Sequence, residues 1–325
     1  MKKVMRCMCM MAIVALAFTS CKKNEQKSTF VASTQQLTVQ AEDDDRAYID
    51  DNMKIMFEEG DMCMQFNISV ATPTQSHAAL YVAQEGGQDV VFENAGLGEI
   101  AEDILDGYYA FYPGGPGHTI TELGQGENKC KFYVAPEQEY RENMVGANAM
   151  YMAARVLPEE AAHLSDAQFQ FKNICGILRL KPYEAAKRTV TSIEIVDNAF
   201  DLSGWCELII PEVDGEEMQS FFNNFDMSNT TYVAELNAYL NRLGYNMTEK
   251  GNSITLNIPG GVQLGDSKAN TPAFNIVLRP LAMSQGCHII LTFADGSTKD
   301  MDLSAYNLIQ KPNVVKPLNI NCDNF

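Results

Sequence analysis

The sequence is poor in the residues that catalysis and nucleic-acid binding draw on. It holds 4 His, and 24 Lys+Arg against 42 Asp+Glu, a formal net charge of −18 over 325 residues. His77, His118, His163 and His288 are scattered and form no HxxxH or HxxE pattern, so the local spacing of a zinc site is missing. The excess of acid leaves no Lys/Arg footprint for phosphates, which argues against nucleic acid and against docking on anionic lipid by charge alone. No GxSxG and no GxxxxGK[ST] occurs, so there is neither a nucleophile elbow nor a phosphate-cradling loop. Gly96-Leu97-Gly98-Glu99-Ile100-Ala101 matches GxGxxA in form only. No parallel βαβ pattern follows it, and Glu99 would point negative charge at a pyrophosphate, so a plain turn is expected. No apolar run reaches the about 20 residues a transmembrane helix needs. The single Trp, Trp205, gives little material for an aromatic sugar platform. These absences predict a protein that is not an enzyme and needs no metal or cofactor.

What is present begins at the N-terminus. Lys2, Lys3 and Arg6 precede an apolar run over residues 8–18 that is too short to span a bilayer. It reads as the hydrophobic stretch of a secretory signal. The run ends Ala17-Phe18-Thr19-Ser20-Cys21. Small residues before a cysteine at this place resemble the lipobox of bacterial lipoproteins, with Phe18 where leucine is usual. That resemblance implies a diacylglycerol on Cys21 and cleavage just before it, hence attachment to outer-membrane lipid. Loss of the signal would remove three basic and no acidic residues, leaving 21 against 42 and a net charge of −21. It would also remove Cys7 and Cys9. Of the remaining cysteines the nearest two, Cys175 and Cys206, lie far beyond CxxC spacing. Cys175, Cys206 and Cys287 sit in or beside apolar runs and read as small buried hydrophobes, with a disulfide left open.

Apolar residues make up 46% of the chain, enough for a real core, and the length suggests about two domains. The periodicity is mostly that of strands. In residues 31–41, Val31, Leu37, Val39 and Ala41 share one parity while Gln, Ser and Thr largely fill the other. An acidic stretch, Glu42-Asp43-Asp44-Asp45, then closes on Arg46-Ala47, the composition of an exposed linker. Tyr108-Tyr109-Ala110-Phe111-Tyr112 is an aromatic strand stopped by Pro113-Gly114. Alternation resumes over residues 169–180, 189–196, 254–258, 274–278 and 288–293, and Asp295-Gly296 predicts a hairpin with a primed turn. Residues 147–156 and 159–164 read as helical. One further helix is predicted from a cap at Ser228 or Asn229, an apolar stripe Val233, Leu236, Tyr239, Leu240 and Leu243, and Gly244 at its end. Many short strands and little helix predict an all-β fold with minor helix, built as β-sandwich domains.

Several segments, taken in order, resemble the fimbrillin family of Bacteroidia, the lipoprotein-exported subunits of type V pili. They are the Cys21 lipobox, Arg46-Ala47-Tyr48 followed by Lys54-Ile55-Met56-Phe57-Glu58-Glu59-Gly60-Asp61 (Phe57 where tryptophan is usual), and Ala110-Phe111-Tyr112-Pro113. The most family-like stretch is Phe171-Lys172-Asn173-Ile174-Cys175-Gly176-Ile177-Leu178-Arg179-Leu180, then Val190 to Ile195 and Leu202-Ser203-Gly204. The resemblance implies two tandem transthyretin-like β-sandwiches on the cell surface, and assembly by strand exchange after an Arg-specific surface protease cuts at Arg46-Ala47. The chain would then divide into a signal (1–20), a lipidated leader with a removable strand (21–46), an N-terminal sandwich (47–166) and a C-terminal sandwich (167–325).

Loss of a leader strand would leave an apolar groove with unpaired N–H and C=O groups, which a strand from another subunit can fill. At the other end, Val314, Leu318, Ile320 and Cys322 share a parity, and Pro312 and Pro317 suit an edge strand. This segment is either the donor or the last strand of its own domain. The expected partners are other pilus subunits, and a host or bacterial surface ligand where the subunit is an adhesin. Two other readings stay open: a lipid-retained anchor or tip of the same pilus, and a surface glycan-binding lipoprotein using Tyr108, Tyr109 and Tyr112.

Overall fold

A computed structural model describes residues 28–34, 38–39, 55–71, 76–114, 123–124, 127–142, 145, 149–209, 235, 237–240, 248–283, 286–303 and 308–325. In chain order the first strands are β1 (Thr29–Thr34), β2 (Thr38–Val39), β3 (Met62–Ser69), β4 (Ser76–Ala83), β5 (Asp89–Gly98) and β6 (Ile104–Tyr112). Then come β7 (Leu123–Gly124), β8 (Glu127–Val134), β9 (Glu137–Glu139), β10 (Met152–Val156), β11 (Gln168–Asn173) and β12 (Gly176–Tyr183). The next are β13 (Thr189–Asp197), β14 (Ser203–Ile209), β15 (Thr248–Gly251), β16 (Ser253–Gln263) and β17 (Phe274–Leu278). The last are β18 (Leu281–Met283), β19 (Cys287–Phe293), β20 (Thr298–Asp302), β21 (Leu308–Gln310) and β22 (Val314–Asn321).

Seven strands close a barrel in the order β1-β11-β10-β6-β3-β4-β5. Closure leaves no open edge while β1 is in place. Inside the barrel Phe30, Tyr81, Phe92, Tyr108, Phe169 and Phe171 are buried, while Phe66, Tyr109 and Phe111 are buried on the opposite face of their strands, where Phe111 meets Phe132 of β8. The remaining strands form a sheet β17-β12-β22-β2, a sheet β20-β19-β13-β16-β9, a sheet β15-β14-β8-β7 and a pair β18-β21. Their inner faces are aliphatic, as in β13, where Val190, Ile193 and Ile195 are fully buried. One continuous hydrophobic cluster runs from Phe30 in the barrel to Ile320 in β22.

Pairing crosses the expected domain boundary at 166/167. β11 lies beyond it, yet belongs to the barrel through Val31↔Gln168 and Met152↔Asn173. β8 lies before it, yet pairs with β14 from Gly204↔Val134 to Ile209↔Lys129. β9 likewise pairs with β16. The barrel therefore runs to Asn173, and the segment around β8 and β9 belongs with the second half of the chain.

Three local expectations change. Residues 152–156 form β10, a strand clasped between β6 and β11, because burial on both sides outweighs the helix preference of Ala153 and Ala154. Of residues 159–164, Glu160 and Ala161 make turn bonds to Leu157, and a short 3₁₀ turn starts only at Leu164. The β19–β20 hairpin is present, but Gly296 has φ +81 while Asp295 is not in the left-handed region, so the turn is not a primed one. Phe293 accepts from Gly296 N–H and donates to Ser297 O, the pattern of a type I turn followed by a glycine bulge. Of the predicted helix, Glu235 and Asn237 to Leu240 are helical, with Tyr239 and Leu240 buried. Ser228, Asn229, Val233, Leu236, Leu243 and Gly244 lie outside the described residues.

Candidate assembly site

β1 reads Thr-Phe-Val-Ala-Ser-Thr, and its even positions face inward. Phe30 and Ala32 are buried in the barrel and Thr34 is nearly so, whereas Val31 is 42% exposed. The strand is found where the sequence placed one, but its inward parity is the opposite of the Val31 set. The alternation counted through residues 31–41 treats two strands as one. β1 stops at Thr34 and β2 starts at Thr38, so parity does not carry across.

Phe30 sits at the centre of an aromatic cage. Its ring lies 4.7 Å from Tyr81, 4.8 Å from Phe169 edge-on, and 5.4 Å from Phe92, with which it stacks. These offset and edge geometries are the favourable ones for aromatic pairs. Ser28 and Tyr81 share a hydroxyl hydrogen bond of 2.8 Å at one end of the strand. At the other end the Thr34 hydroxyl donates to Ile55 O at 2.8 Å. Between them β1 pairs antiparallel with β5, from Thr29↔Glu93 to Ser33↔Asp89, and parallel with β11, from Val31↔Gln168 to Thr34↔Phe171. Without β1 the barrel would hold a slot with two unsatisfied backbone edges and a hole the size of a phenyl ring.

β22 occupies the matching place in the second half. It runs parallel to β12, from Ile177↔Val315 to Tyr183↔Asn321. Ile320 and Cys322 are buried as the predicted parity requires, but so are Val315 and Pro317 of the opposite parity. Val314 and Leu318 are half-buried. The face that packs inward changes phase between Pro317 and Ile320, so the alternation is broken inside the strand. In this structure β22 is a strand of its own sheet. β2 runs parallel beside it, with Thr38↔Val314 and Val39↔Val315.

Leu37, Ala41, Arg46, Ala47 and Cys21 lie outside the described residues. Of the Val31, Leu37, Val39 and Ala41 set, the structure places Val31 on the outer face of the barrel and Val39 in β2. Sequence reasoning missed Phe30, the largest buried side chain of β1, and Gln138, described below. An aromatic followed by small residues at two-residue spacing, Phe30-x-Ala32-x-Thr34, was the available signal for the first.

Other candidate chemistry resolves into structure. Tyr108 and Tyr109 are core residues, Phe111 lies beside them, and Tyr112 is half-buried, so these aromatics do not form an exposed sugar platform. Gly98 lies in β5 at φ +85, where a Cβ would meet Ala78 O at 2.1 Å. Close backbone approach, not phosphate binding, is what this glycine serves. Cys63, Cys175, Cys206, Cys287 and Cys322 are buried free thiols. Burial pushes the thiols of Cys206 and Cys287 up to about 12 and that of Cys322 up to about 11. A cleft of about 1110 Å³ opens beside Ser28, lined in part by Glu93, Asn94, Glu99, Glu102 and His163. No group of three His, Cys, Asp or Glu among the described residues is placed to hold a metal ion.

Neither a family model nor a curated protein matches this sequence. Solved structures do. A "putative cell adhesion protein" from Bacteroides ovatus aligns with a TM-score of 0.50 at 11% identity, over 92% of this chain and 94% of that chain. A protein of the same description from Bacteroides uniformis gives 0.48 at 11% identity, with the same coverage of each chain. A fimbrial protein from Bacteroides ovatus gives 0.40 at 12% identity, over 92% of this chain and 50% of that chain. At such identities the likeness is one of fold, and this chain has the all-β fold of the first of these proteins.

Proposed function

We propose that the chain is a structural subunit of a cell-surface pilus of the fimbrillin kind, supporting adhesion and having no enzymatic activity. It is exported as a lipoprotein through Cys21, cut between Arg46 and Ala47 by an Arg-specific surface protease, and joined to its neighbours by strand exchange. Its two β bodies, the closed barrel and the sheets that follow it, are tandem in outline, with the β8–β9 segment of the first half contributing to the second.

The single observation that carries this reading is that β1, a leader strand ahead of Arg46, is an integral stave of a closed barrel. A cut after Arg46 frees a segment that the barrel cannot lose without replacement. Phe30, Ala32 and Thr34 set an inward pattern at two-residue spacing. Leu318 and Ile320 of β22, with Cys322 just beyond its end, repeat that spacing in sequence, which suits this segment of a second copy to the vacated slot. The neighbouring folds, named for cell adhesion and fimbriae, point the same way.

N-terminal sequencing of protein sheared from cells tests the proposal. A start at Ala47, in high-mass polymers, is the expected result. A blocked start at Cys21 on protein that stays with the membrane would replace the stalk reading with that of a lipid-retained anchor. Binding of the sheared protein to a glycan array would instead favour the sugar-binding alternative.

A further inference from the structure

The sheet β17-β12-β22-β2 has two ends, and they are closed differently. At the β17 end the backbone of Val277 is satisfied by a side chain. Gln138 Nε2 donates to Val277 O at 2.8 Å, and Val277 N–H donates to Gln138 Oε1 at 2.9 Å. Gln138 is buried and lies in β9, so its amide acts as one more rung and ties two sheets together. That end stays closed whatever happens to the leader. At the β22 end the covering strand is β2, which belongs to the leader itself. One short segment therefore reaches two places: β1 completes the barrel, and Thr38 and Val39 lie on the first residues of the C-terminal strand.

We propose that the leader is a two-point latch, in which β1 seats the segment in the barrel and β2 holds down the start of β22. A two-residue parallel strand is too short to hold by itself. Its docking depends on β1, which fixes it a few residues away and so raises its local concentration at the β22 edge. Coupling of this kind is reciprocal, so β2 also adds to the retention of β1. From β21, in the neighbouring pair β18-β21, Gln310 Nε2 donates to Val314 O at 3.0 Å, so Val314 is held by Gln310 as well as by its pairing with the leader. Removing the leader opens the barrel slot and uncovers the edge of β22 together. The subunit becomes able to accept a strand and to lend one at the same moment. This consequence rests on the assembly reading above, whereas the latch is a property of the uncut chain.

Hydrogen exchange on the intact full-length protein tests it. Val39→Pro fixes φ and removes a backbone N–H in β2. The expected result is exchange about tenfold faster in peptides covering residues 311–321, the loss of one rung's protection. Peptides covering β3 and β4 should stay slow, which reports that the barrel is folded, and those covering β1 should rise by less than those over residues 311–321. Val39→Gly, which keeps the N–H, should give a smaller rise in the same peptides. Unchanged exchange over residues 311–321 in both variants, with the barrel intact, would overturn the latch. Neither outcome depends on cleavage or polymerisation, so a chain that is never cut would sink the assembly reading and leave this result standing.

Discussion

β1 and β22 lie near opposite ends of the chain, and each docks parallel on one of two consecutive strands, β11 and β12. There the likeness ends. β1 is paired along both sides and drives a phenyl ring into an aromatic cage. β22 has a long ladder on one side and a two-residue cover on the other, with aliphatic and half-buried residues facing inward. A strand held on both sides fills a gap in a closed surface, and its loss cannot be tolerated. A strand held mainly on one side ends a sheet, and its loss leaves the rest of that sheet paired. Under the proposed assembly, the difference suits the first to be replaced and the second to do the replacing.

The sharpest way to break this contrast is to empty the cage. Phe30→Ala in the full chain should lower stability by about 3–5 kcal/mol, read from the urea midpoint. Leu318→Ala in half-buried β22 should cost clearly less, about 1–2 kcal/mol, and equal losses would erase the distinction.

A second prediction concerns acid. Beside β22's sheet, buried Glu184 accepts three hydrogen bonds from Arg188, including Nη2 at 2.7 Å, and these hold its carboxyl below the usual range. A depressed carboxylate stabilises the fold above its unfolded pKa, about 4.3. That contribution is lost as pH falls through the lower folded value. Glu184→Gln should cost about 1–3 kcal/mol at neutral pH and reduce the acid sensitivity below about pH 4. A variant whose stability falls as steeply with acid as the parent's would remove Glu184 from this role.

Thiol labelling gives a finer measure that treats both regions alike. Cys63 in the barrel, and Cys175, Cys206, Cys287 and Cys322, should resist alkylation at pH 8 in the native protein and react in denaturant, as followed by peptide mapping. Faster labelling of Cys322 than of Cys63 after cleavage would locate loosening in the C-terminal strand. The smallest effect belongs to Val31→Thr. On the outer face of β1 it should change stability by less than about 0.5 kcal/mol, and a large loss would contradict the inward parity of Phe30.

Strand content was legible wherever one face is buried and the other is not. Residues 189–196, 254–258 and 288–293 alternate in sequence and became β13, β16 and β19. Tyr108 to Tyr112 read correctly as a strand because an aromatic run stopped by Pro-Gly has few other uses. β10 was missed because its alanines carry no strand signal, and one of its two partners, β6, lies about forty residues earlier in the chain. The boundary near residue 166 failed for a related reason. β8 finds β14 across about seventy residues, and no local pattern announces such a partner. At the candidate site, the existence of a strand ahead of Arg46 was legible and its inward face was not. Gln138 was invisible, since a lone glutamine on a three-residue strand carries no periodic signal.

The placement of β1 also has a kinetic side. Its parallel partner, β11, starts at Gln168, so the ladder between them joins residues separated by nearly half the chain. Contacts of such long sequence separation form slowly, because a large loop must close before they yield any stability. The first strand of the barrel to be synthesised must wait until β11 has been made before the barrel can shut. Until then the growing barrel is an open sheet in which β1 can pair with β5 alone, and its shutting joins the last stave made to the first.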